Sequence, residues 1–290
     1  MHTFLRLNKS STAAAALLML FSTAAQAQAT LKRIAERGQI TIGHRESSVP
    51  FSYFDDKKQA AGYSIELCMK VVDEVKKKLG KDIKVGFVPI TTANRIPQIT
   101  GGAIDMECGT TTITLGRMEQ VDFSMPFWIT GTQLVVPKKS RVAQVEDLKG
   151  KTVGVLQGSS NERALQRLSQ EKGLNLKFNY VKDYAEGFLS LETNRIDALA
   201  GDGTPISVFA ATKARKPAEL AVVGRLLTTD PYGVMLQRGD PDFRLLVNRA
   251  LAKAFESGEA EKLVIKHFTP TGIKPSPDLQ ALYRAQALPD

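Results

Sequence analysis

The chain has 290 residues, 43% hydrophobic and 24% charged, with a formal charge of +9 and two cysteines. That length suits one large or two medium domains, and the composition is that of an ordinary globular protein with no low-complexity region. The basic excess does not point to nucleic acid: its one tight run, Lys76 to Lys78, ends a predicted helix without any stripe of basic and aromatic residues, and reads as a solvated face.

At the N-terminus, Arg6 and Lys9 precede the apolar run from Ala13 to Phe21, and small residues follow at Ala25, Ala27 and Ala29. This pattern predicts a secretory signal peptide over residues 1–29, cut after Ala27 or Ala29. Its removal takes two positive charges from the +9 and leaves +7. The apolar run is too short to cross a bilayer, and no later segment approaches ~20 apolar residues. No cysteine stands near the cleavage site to carry a lipid, so the mature chain is expected to be exported and soluble. In an oxidising compartment Cys68, on a predicted helix, and Cys108, at a strand end, are compatible either with one disulfide or with two buried thiols. Neither has a second cysteine or a histidine at metal-ligand spacing, and His2, His44 and His267 form no cluster. No cofactor is implied.

The apolar periodicity then alternates strand and helix. Strands are predicted over residues 39–43, 83–89 and 104–107, with helices over 64–79 and 94–100 and a glycine-threonine turn at 109–112 leading into a helical segment near Arg117. After a turn at 147–150 the pattern restarts, with strands over 151–155, 177–181 and 196–199 and helices over 161–171 and 185–193. Helices near 243–257 and 259–268 precede a proline-rich tail left unassigned. Such alternation predicts an α/β protein with mostly parallel sheets flanked by helices, and α/β sheets bind ligands beyond the carboxyl ends of their strands.

The richest segment is ECGTTTITLGRMEQVDFSMPF, from Glu107 to Phe127. Hydroxyls and backbone N–H groups in a tight loop, with a guanidinium five residues on, suit a small carboxylate, which arginine grips through two parallel hydrogen bonds. A threonine-rich turn capping the next helix accounts for the same residues without a ligand. The order glycine, three threonines, Arg117 and then DFSMPF resembles the periplasmic amino-acid-binding proteins of ABC transporters (solute-binding proteins, family 3), over about residues 31–268. Within that family, HRESSVPFSYFD, PITTANRIP and ECGTTT are most similar to the glutamate/aspartate-binding proteins.

The resemblance implies a two-lobed periplasmic-binding-protein fold of type II with the ligand cleft between lobes. The chain would cross near residues 129–136 and 228–236, so that lobe 1 is 30–132 plus 232–290 and lobe 2 is 133–231. It implies no catalysis, a monomer, a ligand that is L-glutamate or L-aspartate, and delivery to an inner-membrane permease and its ATPase. Arg117 and Thr112 then meet the α-carboxylate, joined by Ser160 in the glycine-hydroxyl loop at 158–160. Thr110 and Asp202 meet the ammonium. Relatives that bind basic amino acids generally carry an acidic residue where this chain has Arg45. Arg45 and Arg95 therefore suit a side-chain carboxylate, and Thr92 is a further ligand-binding candidate. Tyr184 stands where the glutamate/aspartate binders carry a histidine, and Thr92 where a serine is usual. A phenol still donates a hydrogen bond to a carboxylate but adds no positive charge.

The alternatives are a binding protein for another amino acid, or an enzyme on the same bilobal fold, such as a dehydratase. No G-x-S-x-G elbow, metal-ligand cluster or paired Cys and His supports it.

Overall fold

The structure is a computed structural model and describes residues 29–273 and 277–289. The expected signal peptide, Ala29 apart, lies outside the described residues.

The chain opens with helix α1 (Ala29–Arg37), which the sequence reading did not anticipate, and strand β1 (Gln39–His44). A small three-stranded meander (Ser47–Ser48, Ser52–Phe54, Ala60–Ala61) leads to α2 (Tyr63–Leu79). On α2, Tyr63, Ile65, Leu67, Cys68, Val71, Val72 and Val75 are all buried. That stripe recurs at the three- and four-residue spacing of an amphipathic helix. Lys76 to Lys78 fall in its last turn, where cations face the negative end of the helix dipole, and Gly80 ends the helix with φ +64°. There follow β2 (Lys84–Pro89), α3 (Arg95–Thr100), β3 (Met106–Glu107), α4 (Leu115–Met118), β4 (Val121–Phe123) and β5 (Trp128–Thr130). The second half holds β6 (Thr132–Pro137), β7 (Thr152–Leu156), α5 (Ser160–Glu171), β8 (Lys177–Val181), α6 (Tyr184–Glu192), β9 (Ala198–Asp202), α7 (Gly203–Thr212) and β10 (Leu220–Val223). The chain closes with β11 (Asp230–Tyr232), β12 (Met235–Gln237), α8 (Pro241–Glu256), α9 (Glu259–Phe268) and α10 (Pro277–Gln286). The tail left unassigned thus contains a helix.

Two five-stranded sheets result, ordered β2-β1-β3-β12-β4 and β8-β7-β9-β6-β10. They are mixed rather than mostly parallel. In the first, β1 runs parallel to β2 and β3, while β12 is antiparallel to β3 and β4. In the second, β7 is parallel to β8 and β9, while β6 is antiparallel to β9 and β10. The cause is the route of the chain. Both β6 and β12 enter their sheets straight from the segments joining the two sheets, at the edge where β1, β7 and β9 end, so each runs against its neighbours.

Those joining segments include a two-stranded antiparallel ribbon, with Trp128 opposite Tyr232 and Thr130 opposite Asp230. Its base is an aromatic cluster: the Trp128 ring stacks on Phe268 at 4.4 Å and meets Phe51 edge-on at 5.0 Å, and Tyr232 lies 5.5 Å from Phe51. Such pairs add to the burial of their own area.

Of the two states left open for the cysteines, the structure has the disulfide: Cys68 and Cys108 are bonded, with Cα atoms 6.3 Å apart. The bridge ties α2 to the residue just before Gly109. Cross-linking across 40 residues restricts the unfolded chain by about 2–4 kcal/mol. Reduction, or replacement of both cysteines by alanine, is expected to lower the urea midpoint by a corresponding amount. An unchanged midpoint under full reduction would contradict this.

Candidate functional site

The carboxyl ends of β1, β2 and β3 carry the positive side of the site. Arg45 follows β1; its backbone N–H donates to Ser52 Oγ at 2.9 Å, and its Nη2 donates to Thr92 Oγ1 at 2.6 Å. Thr92 lies in the turn after β2, braced by reciprocal bonds between Thr91 and Asn94. That turn opens α3, whose first residue is Arg95. Beyond β3, a Cβ on Gly109 would sit 2.2 Å from Glu107 Oε1 and 2.9 Å from Arg45 Cγ, so only glycine lets the threonine loop approach this closely. Thr114 caps α4 by accepting from the Arg117 N–H, and Arg117 Nη1 turns back to donate to the Thr112 carbonyl at 2.6 Å. The three guanidinium residues are only 2–4% exposed. Burial, with Arg163 next in effect, lowers the Arg117 pKa to about 10, and burial beside Arg117 and Arg45 lowers that of Arg95 well below its ordinary value. Among the described residues none of the three has a carboxylate within ion-pair distance.

The second sheet supplies the opposite wall. Gly158, at φ +75°, turns the chain from β7 into α5. Ser159 is the N-cap, accepting from the Glu162 N–H at 3.0 Å, which leaves the Ser160 hydroxyl to face Thr112 Oγ1 at 3.0 Å. Capping and cleft-facing thus fall to different serines. The first N–H groups of α5 have no acceptor within the helix, and the helix dipole adds positive potential there. Asp202 is the last residue of β9 rather than a loop residue beyond it, because the strand runs three residues further than its apolar stretch suggests. Its Oδ1 accepts from Asn161 Nδ2 at 2.9 Å, while its backbone N–H donates to the Tyr184 hydroxyl at 3.1 Å. Burial first, then the charge of Asp230, pushes the Asp202 carboxyl up to about 6.

Arg45, Thr92, Arg95, Thr110, Thr112, Arg117, Ser160, Tyr184 and Asp202 all line one cavity, together with Leu156, Ser159 and Asn161. Its free volume is about 10 Å³, room for roughly one water. The walls touch directly: Arg117 Nη2 donates to the Gly158 carbonyl at 3.2 Å, and Arg95 Nη2 reaches the same oxygen at 3.5 Å. Sequence reasoning passed over Asn161, whose amide also donates to Thr132 Oγ1, and Asp230, which accepts from Thr228 at 2.6 Å. Asn161 directly follows the serines of the loop, a signal that was available; Asp230 reaches the site only through the ribbon pairing. Among the described residues no group of His, Cys, Asp and Glu is arranged to hold a metal ion, and no helix is long and apolar enough to cross a membrane.

The chain is similar to the glutamate/aspartate import solute-binding proteins of Salmonella typhimurium, 41% identical over 83% of this chain and 80% of that protein, and of Escherichia coli, 39% identical over 88% and 87%. The cysteine-binding protein of Campylobacter jejuni has a similar structure, with a TM-score of 0.75 at 26% identity over 86% of this chain and 96% of that one. Residues 40–270 match the family described as bacterial extracellular solute-binding proteins, family 3. With a two-sheet architecture and relatives that are binding proteins along most of its length, the chain belongs to that family.

Proposed function

We propose that the protein is the exported binding component of an ABC-type importer and captures L-glutamate or L-aspartate by closing two lobes over it. The lobes are 30–132 with 232–290, and 133–231, a division supported by the strands each sheet recruits. The observation that carries the reading is the convergence of three buried guanidinium groups on one cavity, with no carboxylate among the described residues in ion-pair range. A dicarboxylic amino acid brings the two carboxylates that such a site lacks, and charge-assisted, bidentate bonds to arginine are the strong ones.

In this reading Arg117, Thr112 and the Ser160 end of α5 hold the α-carboxylate. Asp202 and Thr110 hold the ammonium, and Arg45, Arg95 and Thr92 the side-chain carboxylate. The relatives named for glutamate and aspartate import support the same ligand class and an inner-membrane permease as partner. A cavity of about 10 Å³ cannot admit an amino acid, so the walls must part first. The ligand docks on the arginine face. Closure is then favoured because contacts to Ser160 and Asp202 exist only in the closed state.

Calorimetry against the standard amino acids is expected to give a Kd near or below ~1 μM for L-glutamate or L-aspartate. Glutamine and asparagine should bind far more weakly, and arginine, histidine or leucine as the tightest ligand would overturn the reading. Replacing Tyr184 by Phe leaves the Asp202 N–H without its acceptor. That N–H is orphaned with and without ligand, so the cost of ~1–3 kcal/mol should fall on folding stability, with affinities for glutamate, aspartate and glutamine nearly unchanged. A loss confined to the dicarboxylates would instead put the phenol on the ligand's side chain.

The pH dependence follows from Asp202. Below pH 6 a proton competes with the ligand ammonium for this carboxylate, so affinity for glutamate should fall about tenfold between pH 8 and pH 5. Asp202→Asn should weaken binding and flatten the profile. A flat profile in the unsubstituted protein would exclude Asp202 as the ammonium's partner. For folding of the ligand-free protein the sign is opposite. A carboxyl whose pKa rises from 3.8 to about 6 stabilises the fold below 3.8 and loses that contribution as pH rises through 6.

A further inference from the structure

Glu107 ends β3 and is 0% exposed; neither of its carboxylate oxygens has a partner of good hydrogen-bond geometry among the described residues, although the buried Thr111 hydroxyl lies near enough to favour its charge. An unpaired buried carboxylate is costly enough that a fold retains one only with compensation nearby. The compensation here is the arginine cluster. Oε1 lies under Gly109 on the side where the Arg45 stem also passes. Three guanidinium groups favour the charged carboxylate: Arg95 from α3, Arg45 from the loop after β1, and Arg117 from α4. Burial opposes them and raises the Glu107 pKa. The relation is mutual: the charges of Arg117, Arg45 and Arg163 work against the charge on Arg95, whereas Glu107 favours it. The Arg95 Nε is itself buried without a partner, and the long 3.5 Å contact of Nη2 with the Gly158 carbonyl is the hydrogen bond recorded for this guanidinium among the described residues, so electrostatic support matters to it.

We propose that Glu107 is the internal counter-charge of the Arg45–Arg95 pair, and that it sets how strongly the cleft prefers a dicarboxylate to the corresponding amide. The inference rests on the acidic amino-acid reading above. Glu107 does not line the cavity and acts through the arginines, which makes it a specificity-determining positioning residue. With Glu107 charged, the pair presents one net positive charge to the ligand instead of two. Two guanidinium groups can then stay buried in the closed cleft before a ligand arrives, at the expense of part of the attraction for the second carboxylate.

The test measures Kd for glutamate and glutamine, together with the ligand-free melting temperature, for the parent and for Glu107→Gln, Glu107→Met and Glu107→Asp. Methionine fills a similar volume without polar atoms, which covers the case in which the glutamine amide prevents folding. In the Gln and Met variants the ratio of glutamine Kd to glutamate Kd is expected to rise by at least about tenfold, the scale on which one nearby unit charge acts on a carboxylate. The ligand-free protein should melt at a lower temperature. Aspartate, which keeps the charge, should hold the ratio near the parent's. A purely structural role would weaken both ligands alike, so an unchanged or reduced ratio in a folded Gln or Met variant of a glutamate-binding parent overturns this inference alone. A parent that binds neither dicarboxylate overturns the functional reading and this inference with it.

Discussion

Three guanidinium groups buried in one small cleft are the constraint around which the site is arranged. Like charges out of water repel strongly and lose hydration, and here no carboxylate among the described residues stands in ion-pair range to compensate. Neutral oxygens hold them instead: the Thr92 hydroxyl for Arg45, and the Thr112 and Gly158 carbonyls for Arg117. Glu107, Asp202 and Asp230 lie near enough to act electrostatically. A cleft so charged is poised for an anion, and the two walls that meet through Gly158 and Ser160 can exchange those contacts for bonds to a ligand.

The surrounding fold keeps each guanidinium in place. Arg45 follows the end of β1, Arg95 opens a helix braced by the Thr91–Asn94 turn, and Arg117 sits behind the Thr114 cap. The Cys68–Cys108 bridge fixes the threonine loop to α2 immediately before Gly109. Opposite, Asp202 is coupled to the ribbon by hydrogen bonds running through Asn161, Thr132 and Thr228 to Asp230. That chain links the Asp202 carboxylate to the segments joining the two sheets. The aromatic cluster around Trp128 and Phe268 anchors the base of the ribbon.

Local motifs named residues that the fold brings to one cavity. Arg45, Arg95, the threonine loop and Arg117 each sit in a short string whose residue types already suited an anion, and these strings end strands of one sheet. Ser160 was read with its capping role unresolved, and only the geometry of α5 assigned the cap to Ser159. Glu107 was quoted within the richest segment but given no role, since nothing in a string reveals that a carboxylate is wholly enclosed and lacks a partner. Asp230 stood in a predicted crossing segment, and its place beside Asp202 depends on pairing with a strand a hundred residues away.

The sequence alone determined the alternation of strand and helix and the arginine and hydroxyl chemistry suited to an anion, while the acidic amino-acid class came from the resemblance to a family. Alternation and chemistry are properties of periodicity and residue type, and both are local. Tertiary structure decided the rest. It set the direction of β6 and β12, because strands entering from the ribbon must run against those ending at the cleft. It joined Cys68 to Cys108, because helix and strand brought their Cα atoms within 6.3 Å. It placed Glu107 beneath the arginines, because the charge a residue feels depends on the distance between side chains in space, which chain order does not encode.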